Sequence, residues 1–130
     1  MGIATDTPAL DHLVVMASTL AQGMDRGAVL EASRMTAHGL LQWQITVRPD
    51  GQRLFDGCLP TLIQWGSVHP TDAMPDCGVA LHGVCVQHPQ AGTLRQALQA
   101  LGLAAIPVTN GPALLSATLQ TPKGLIEIHT

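Results

Sequence analysis

The chain has no tyrosine, one phenylalanine (Phe55) and two tryptophans (Trp43 and Trp65) among its 130 residues. Proteins that hold single-stranded nucleic acid stack the bases on rows of aromatic rings, and such a platform is missing. Charge is scarce as well. Only 12% of the residues are charged, the formal net charge is -3, and the Lys and Arg residues form no cluster. A phosphate backbone would therefore find no counter-charge, and nucleic acid is excluded as a partner. No apolar run reaches the roughly 18 residues of a membrane span. Residues 1–8 carry no basic stretch followed by an apolar one, so they do not read as a secretory signal. The three cysteines, Cys58, Cys77 and Cys85, are an odd number without CxxC spacing. They argue against a disulfide framework and against a cysteine metal site, and read as reduced thiols of a cytoplasmic protein.

What the chain has in quantity is small and medium apolar residues. Hydrophobic residues make up 46%, too many for a disordered chain, and 130 residues suit one compact domain. Residues 10–16 form a short, continuous, β-branched apolar run and are expected to be a buried strand. Ser18 or Thr19 then caps a short helix over 20–24, weakened by Gly23 and Gly27. A second strand is expected at 29–34, and Ala37-His38-Gly39 reads as a turn. Over 40–47, Leu41, Trp43, Ile45 and Val47 alternate with Gln42, Gln44 and Thr46, the pattern of a half-buried strand. Pro49-Asp50-Gly51 is a turn, a loop runs through Phe55, Gly57 and Pro60, and 61–65 is another strand. After the proline-containing stretch 67–76, a strand is expected at 79–87. In the helix 93–101, Leu94, Ala97, Leu98 and Leu101 recur at helical spacing, with Gly102 as the residue that ends it. Strands at 106–108, 114–121 and 125–129 follow, the last two joined by Pro122-Lys123-Gly124.

The element order is thus β-α-β-β-β twice over, and short sequence matches occur in the same order. Leu13-Val14-Val15 corresponds to Gly83-Val84-Cys85, with His12 opposite His82. Thr19-Leu20-Ala21-Gln22 corresponds to Thr93-Leu94-Arg95-Gln96. Gly39-Leu40-Leu41 corresponds to Ala113-Leu114-Leu115, and Leu62-Ile63-Gln64-Trp65 to Leu125-Ile126-Glu127-Ile128. The expectation is an α+β fold of two tandem βαβββ modules: module one at about 8–67, a linker at about 67–77, and module two at about 78–130. The alternative is an unrepeated α+β sandwich with two helices on one sheet.

Three stretches carry a resemblance to a known family: Leu10-Asp11-His12-Leu13-Val14-Val15; Leu59-Pro60-Thr61-Leu62-Ile63-Gln64-Trp65-Gly66 with His69-Pro70 after it; and Thr121-Pro122-Lys123-Gly124-Leu125-Ile126-Glu127-Ile128. With them the chain resembles the vicinal-oxygen-chelate superfamily, and within it the bacterial glyoxalase-like domain proteins. The Leu-Pro-Thr-Leu-Ile-Gln-Trp run is the most specific of the three. The resemblance implies curved mixed sheets closing around a central cleft, where enzymes of the superfamily bind a divalent metal through the first and last strands of each module. Carried over by position, the ligands are His12, Gln64, His82 and Glu127. Many glyoxalase-like domain proteins are longer between the first helix and the Gln-Trp region, so part of their pocket is either missing here or supplied by a partner chain.

Strand alternation is compatible with that set. His12, Val14 and Met16 share one face. Leu125, Glu127 and His129 share another, with Ile126 and Ile128 packed opposite. Gln64 lies opposite Ile63 and Trp65. Two imidazoles, a carboxylate and an amide oxygen suit Zn, Ni, Mn or Fe(II), a Lewis acid for an enediolate or another oxyanion, with Glu127 as a catalytic general base. A lone histidine in a strand is, however, more often hydrogen-bonded than metal-bound, and His82 is exposed to a one-residue slip that would reverse its face. Arg34 suits a substrate carboxylate and equally a surface salt bridge. Gln42 and Gln44 face together and either bind substrate or face solvent. His69 either covers a substrate or sits in a plain surface loop. Trp43 and Trp65 read as core and Cys85 as a small apolar residue on a buried strand, while His38 and His88 carry no signal. Three functions follow. The first is a metal-dependent lyase, isomerase or dioxygenase acting on a small oxygenated metabolite. The second is a metal-free small-molecule binding protein of the bleomycin-resistance type, with a homodimer a natural state. The third is a scaffold without chemistry.

Overall fold

A computed structural model describes residues 27–130. The expected first strand, the helix over 20–24 and His12 lie outside the described residues. The chain divides into two compact units: the first contains described residues 27–52 and 61–70, and the second contains 53–60 and 71–130. The segment 53–60, placed in module one from the sequence, thus joins the second unit. Among the described residues no helix is long and apolar enough to cross a membrane.

The first unit is an antiparallel sheet of three strands in the order β1 (Ala28–Thr36), β2 (Gly39–Val47) and β3 (Ile63–Trp65). Only Ala37 and His38 separate β1 from β2, so the two strands must pair directly, and they do so from Thr36↔Gly39 to Ala28↔Val47. The Thr36 hydroxyl closes the turn. It donates to the Gly39 carbonyl at 2.8 Å and accepts the His38 N–H at 3.2 Å. The expected alternation holds: Leu41, Trp43 and Ile45 share a face with Ile63 and Trp65, and Gln42 and Gln44 share the other with Gln64. β3 is shorter than expected because buried Thr46 takes over at its start. The Thr46 main chain donates to the Leu62 carbonyl at 3.0 Å, while its hydroxyl accepts the Leu62 N–H at 3.1 Å.

The second unit runs β4 (Ala80–His88), α1 (Ala91–Ala100), β5 (Val108–Asn110), β6 (Leu114–Thr121) and β7 (Gly124–His129). Its sheet is mixed and ordered β5-β4-β6-β7, with only β4 and β5 parallel. α1 buries Ala91, Leu94, Ala97 and Leu98, and Leu101 just past its end is buried too. All four apolar positions picked out by spacing are therefore core. The helix contacts β4 and β5, whose Val86 and Val108 are buried register partners. Arg95 ties it down by donating to the Val108 carbonyl at 2.8 Å. Gly102, at φ +74, ends the helix as expected. Its N–H bonds Gln99 O at 3.0 Å and the Leu103 N–H bonds Leu98 O at 2.8 Å, which satisfies the last carbonyls. β5 starts two residues later than expected. Pro107 has no N–H for the ladder and contributes only its carbonyl, to the Val86 N–H at 3.0 Å. The turn Thr121-Pro122-Lys123-Gly124 repeats the chemistry of the first hairpin: the Thr121 hydroxyl donates to Gly124 O at 2.8 Å and accepts the Lys123 N–H at 3.2 Å.

Candidate functional site

The two hairpins that carry Gln64 and Glu127 have the same register. The sequence matches set Leu40 on Leu114 and Ile63 on Ile126. Continued residue by residue, they set Ile45 on Leu119, Gln44 on Thr118 and Trp43 on Ala117. The structure pairs Ile45 with Ile63 and Leu119 with Ile126, Gln44 with Gln64 and Thr118 with Glu127, Trp43 with Trp65 and Ala117 with Ile128. Every β2–β3 pair has its counterpart in β6–β7. Gln64 and Glu127 thus stand at equivalent positions in two hairpins, each an exposed oxygen donor with apolar neighbours before and after it. Ile126 and Ile128 do lie on the face opposite Glu127, but at 48% and 53% exposure they are only half covered, because α1 packs on β4 and β5 instead.

His82 occupies the point where the β4–β6 register shifts by one residue, between Leu81↔Leu119 and Gly83↔Thr118. It is the extra residue of a bulge, and bulges re-aim side chains. The row Gly83, Thr118, Glu127 crosses three strands, so His82 and Glu127 stand roughly 10 Å apart at the backbone, two strand spacings. A His and a Glu side chain reaching toward one another can span that distance if the bulge turns His82 to the face of Glu127. Gln64 belongs to the first unit and Glu127 to the second; amide and carboxylate oxygens are the kind of atom that hard or borderline divalent ions take. Among the described residues no three His, Cys, Asp or Glu side chains gather as a metal-binding group.

The substrate-binding candidates separate. Gln42 and Gln44 share the face of Gln64, whereas Arg34, paired with Leu41, is on the opposite face with Trp43 and Trp65. Trp43 and Trp65 are cross-strand partners with ring centroids 5.3 Å apart, half-buried rather than core. His69 sets its ring edge against Trp65 at 5.6 Å, on the Arg34 face.

Two features escaped the sequence reading. Glu31 pairs with Gln44 and accepts a hydrogen bond from its Nε2 at 3.3 Å. Counting back from the Ala37-His38 turn would have found it. The other is His88, buried at 5% exposure. Its Nδ1 accepts the Gln90 N–H at 3.0 Å, so its proton resides on Nε2 and is donated to Asp56 Oδ2 at 3.1 Å. The Phe55 ring meets the imidazole edge-on at 5.2 Å. Phe55 and Asp56 both adopt left-handed backbone, at φ 51 and 54, an uncommon state for residues with a Cβ. With both ring nitrogens engaged, His88 acts as an anchor for the turn and the start of α1. Nothing local in the sequence links residues so far apart.

All three cysteines are free and lie in the second unit, Cys58 buried and Cys77 and Cys85 exposed. Cys58 is buried, and burial pushes its thiol up, with the nearby Asp56 adding to the rise and a hydrogen bond at Leu114 partly offsetting it. Its Sγ lies 3.6 Å from Gln87 O and 3.8 Å from Leu114 O. Cys85, expected on a buried strand, is exposed, since α1 covers the Val86 side of β4, and its Sγ lies 2.8 Å from Ser116 Oγ.

The chain matches no curated protein and no solved structure. A family model described as a glyoxalase-like domain matches residues 27–102. The matched span starts beside β1, includes Gln64 and His82, runs through the expected linker and ends just past α1. It covers more than half of the chain, and the chain therefore belongs to the glyoxalase-like domain family of the vicinal-oxygen-chelate superfamily.

Proposed function

We propose that the chain consists of two tandem βαβββ modules and is a metal-dependent lyase, isomerase or dioxygenase acting on a small oxygenated metabolite, with His12, Gln64, His82 and Glu127 as metal ligands. One observation carries the reading: Gln64 and Glu127 fall at equivalent register in matching hairpins, which is what a duplicated module with one oxygen donor in each last strand produces. A bound Zn, Ni, Mn or Fe(II) would supply Lewis acidity toward a developing oxyanion. Glu127 would hold or release a proton at its free carboxylate oxygen. Gln42 and Gln44, on the face of Gln64, would hydrogen-bond substrate oxygens. Arg34 and His69 are set on the other face, so their proposed role narrows to a second polar contact beside the Trp pair. A homodimer belongs to the same proposal, because β7 is paired on one side only among the described residues and carries half-exposed Ile126 and Ile128.

The test is the metal content of untagged protein beside a His12→Ala, Glu127→Ala double variant. About one equivalent of divalent metal in the parent and none in the variant supports the reading. Where that holds, Glu127→Gln is expected to abolish turnover of α-keto aldehydes or catechols. Failure to take up Zn, Ni, Mn or Fe(II) from excess sinks the ligand set. It leaves the metal-free small-molecule binder, a reading favoured by the apolar exposure of Leu125, Ile126 and Ile128 around Glu127.

A further inference from the structure

We propose that the first sheet carries a binding site for a planar aromatic carboxylate, in which Trp43 takes the ring and Arg34 the carboxylate; it rests on the Arg34 contact proposed above and not on the metal. On this face β1 presents Leu30, Ala32 and Arg34, the register partners of Ile45, Trp43 and Leu41. Ala32 thus sets a single methyl beside a large indole. Leu30 and Arg34 stand on either side of it along the strand, roughly 13 Å apart at the rise of four residues, which leaves room for one aromatic ring over Ala32. Ala32, Trp43 and Trp65 are all partly exposed and Arg34 is exposed, so solvent reaches this step in the surface. Trp65 is already engaged by two rings, with centroids 5.3 Å away at Trp43 and 5.6 Å away at His69. Trp43 is therefore the ring with a flank to offer on the β1 side.

Charge selects the class of ligand. Within β1, β2 and β3, Arg34 is the one Lys, Arg, Asp or Glu on this face; Glu31 is on the opposite one, where it accepts from Gln44 at 3.3 Å. Among the described residues no carboxylate pairs with Arg34. A guanidinium is a planar fork of donors that matches a carboxylate and also lies flat against an aromatic ring. An inorganic anion would satisfy the fork and leave the indole wet. An uncharged arene would cover the indole and leave the guanidinium without its anion. An arene with a carboxylate at one end does both, an apolar body held by a ring and oriented by one charged group. Gln42, Gln44 and Gln64 lie on the other face of the same sheet, so this site is separate from the proposed ligand position of Gln64.

Trp43 and Trp65 are the only tryptophans of the chain, which has no tyrosine, so its indole fluorescence reports on this face alone. Titration with 4-nitrobenzoate, an arene carboxylate that quenches indoles, is expected to give a saturable loss of fluorescence that EDTA leaves unchanged. Arg34→Gln, at an exposed position, is expected to weaken that binding about tenfold, the loss of one charge-assisted pair. Ala32→Leu fills the step and should abolish saturation, with circular dichroism to verify folding of both variants. Nitrobenzene, which lacks the carboxylate, should bind parent and Arg34→Gln alike and more weakly than 4-nitrobenzoate binds the parent. Quenching that rises linearly without saturation, or that saturates equally in parent and folded Arg34→Gln, overturns the site. Saturable quenching that EDTA removes places the arene on a metal and overturns it as well. A protein that takes up no metal but still binds 4-nitrobenzoate through Arg34 sinks the metal reading and leaves this site standing.

Discussion

The two units are built on similar hairpins but are held together differently. All nine buried apolar residues among the described ones, from Cys58 and Leu59 to Val108, are in the second unit. The first sheet has Thr46 as its one buried described residue, and Leu30, Met35, Leu40, Val47 and Ile63 are all at least two-fifths exposed. The second sheet has α1 to cover Val86 and Val108. Strand order differs as well. In the second unit β4 is inserted between β5 and β6, whereas β1 and β2, joined by two residues, pair along their whole length and leave no place between them. The matching sequence stretches thus have equivalent register in the β2–β3 and β6–β7 pairs, while the rest of each sheet is ordered differently. The order of the remaining strands is decided by connection length.

Truncation at equivalent depth of sequence but unequal depth of burial should expose this difference most strongly. Leu94 is 0% exposed, so Leu94→Ala is expected to cost about 2–5 kcal/mol, transfer plus cavity. Leu30 is 49% exposed, and Leu30→Ala is expected to cost about 1 kcal/mol or less, as a half-solvated side chain forfeits little. Urea denaturation of the two variants checks the contrast. Equal losses would mean that the first sheet is as deeply packed as the second.

A smaller effect is expected at the strained turn of the second unit. Asp56→Ala leaves the buried His88 Nε2–H without its carboxylate, at a cost of about 1 kcal/mol, the low end for a lost partner, because exposed Asp56 lets water approach. Asp56→Gly loses the same bond but relieves the left-handed backbone at φ 54. Glycine is therefore expected to be no less stable than alanine at this position, the reverse of their ranking at an ordinary site. A glycine variant less stable than the alanine one would show that the backbone there is unstrained. The first sheet has no positive-φ residue other than glycine, so the inversion is specific to one unit.

These contrasts also mark how far the sequence could be read. Leu94, Ala97, Leu98 and Leu101 announced the helix and its buried side because helical spacing is local and unambiguous. The alternation of Gln42 and Gln44 with Trp43 and Ile45 announced the two faces of β2 for the same reason. The equivalence of Gln64 and Glu127 was legible from four-residue matches. The face of His82 was not, since a bulge between Leu81 and Gly83 leaves no mark in residue type. Arg34 was grouped with Gln42 and Gln44 as a substrate contact, although the parity of its position from the turn puts it on the other face. The Asp56–His88 bond joins distant residues through a backbone conformation that neither residue favours, and no pattern predicts it.

The smallest expected effect belongs to the turn after β2. Arg48 Nε donates to Asp50 Oδ1 at 3.0 Å, and the same oxygen accepts the Gln52 N–H at 3.0 Å. The Arg48 hydrogen bond, and after it that of Gln52, holds the Asp50 carboxyl below its usual range. A carboxyl depressed in the folded state gives stability that is fully present above its unfolded pKa and is lost as pH falls through the folded value. The turn should therefore hold at neutral pH and loosen only in acid below the ordinary aspartate range, with Asp50→Asn removing that dependence. Because the pair is exposed, salt and solvent screen it, and the acid effect should sit well below that of Asp56→Ala. Stability of parent and Asp50→Asn proteins, followed from neutral pH into acid at low and high salt, checks it. A large salt-insensitive difference would mean that the Arg48–Asp50 pair is shielded from solvent, and that the first unit owes more of its stability to buried polar contacts than its exposed apolar residues suggest.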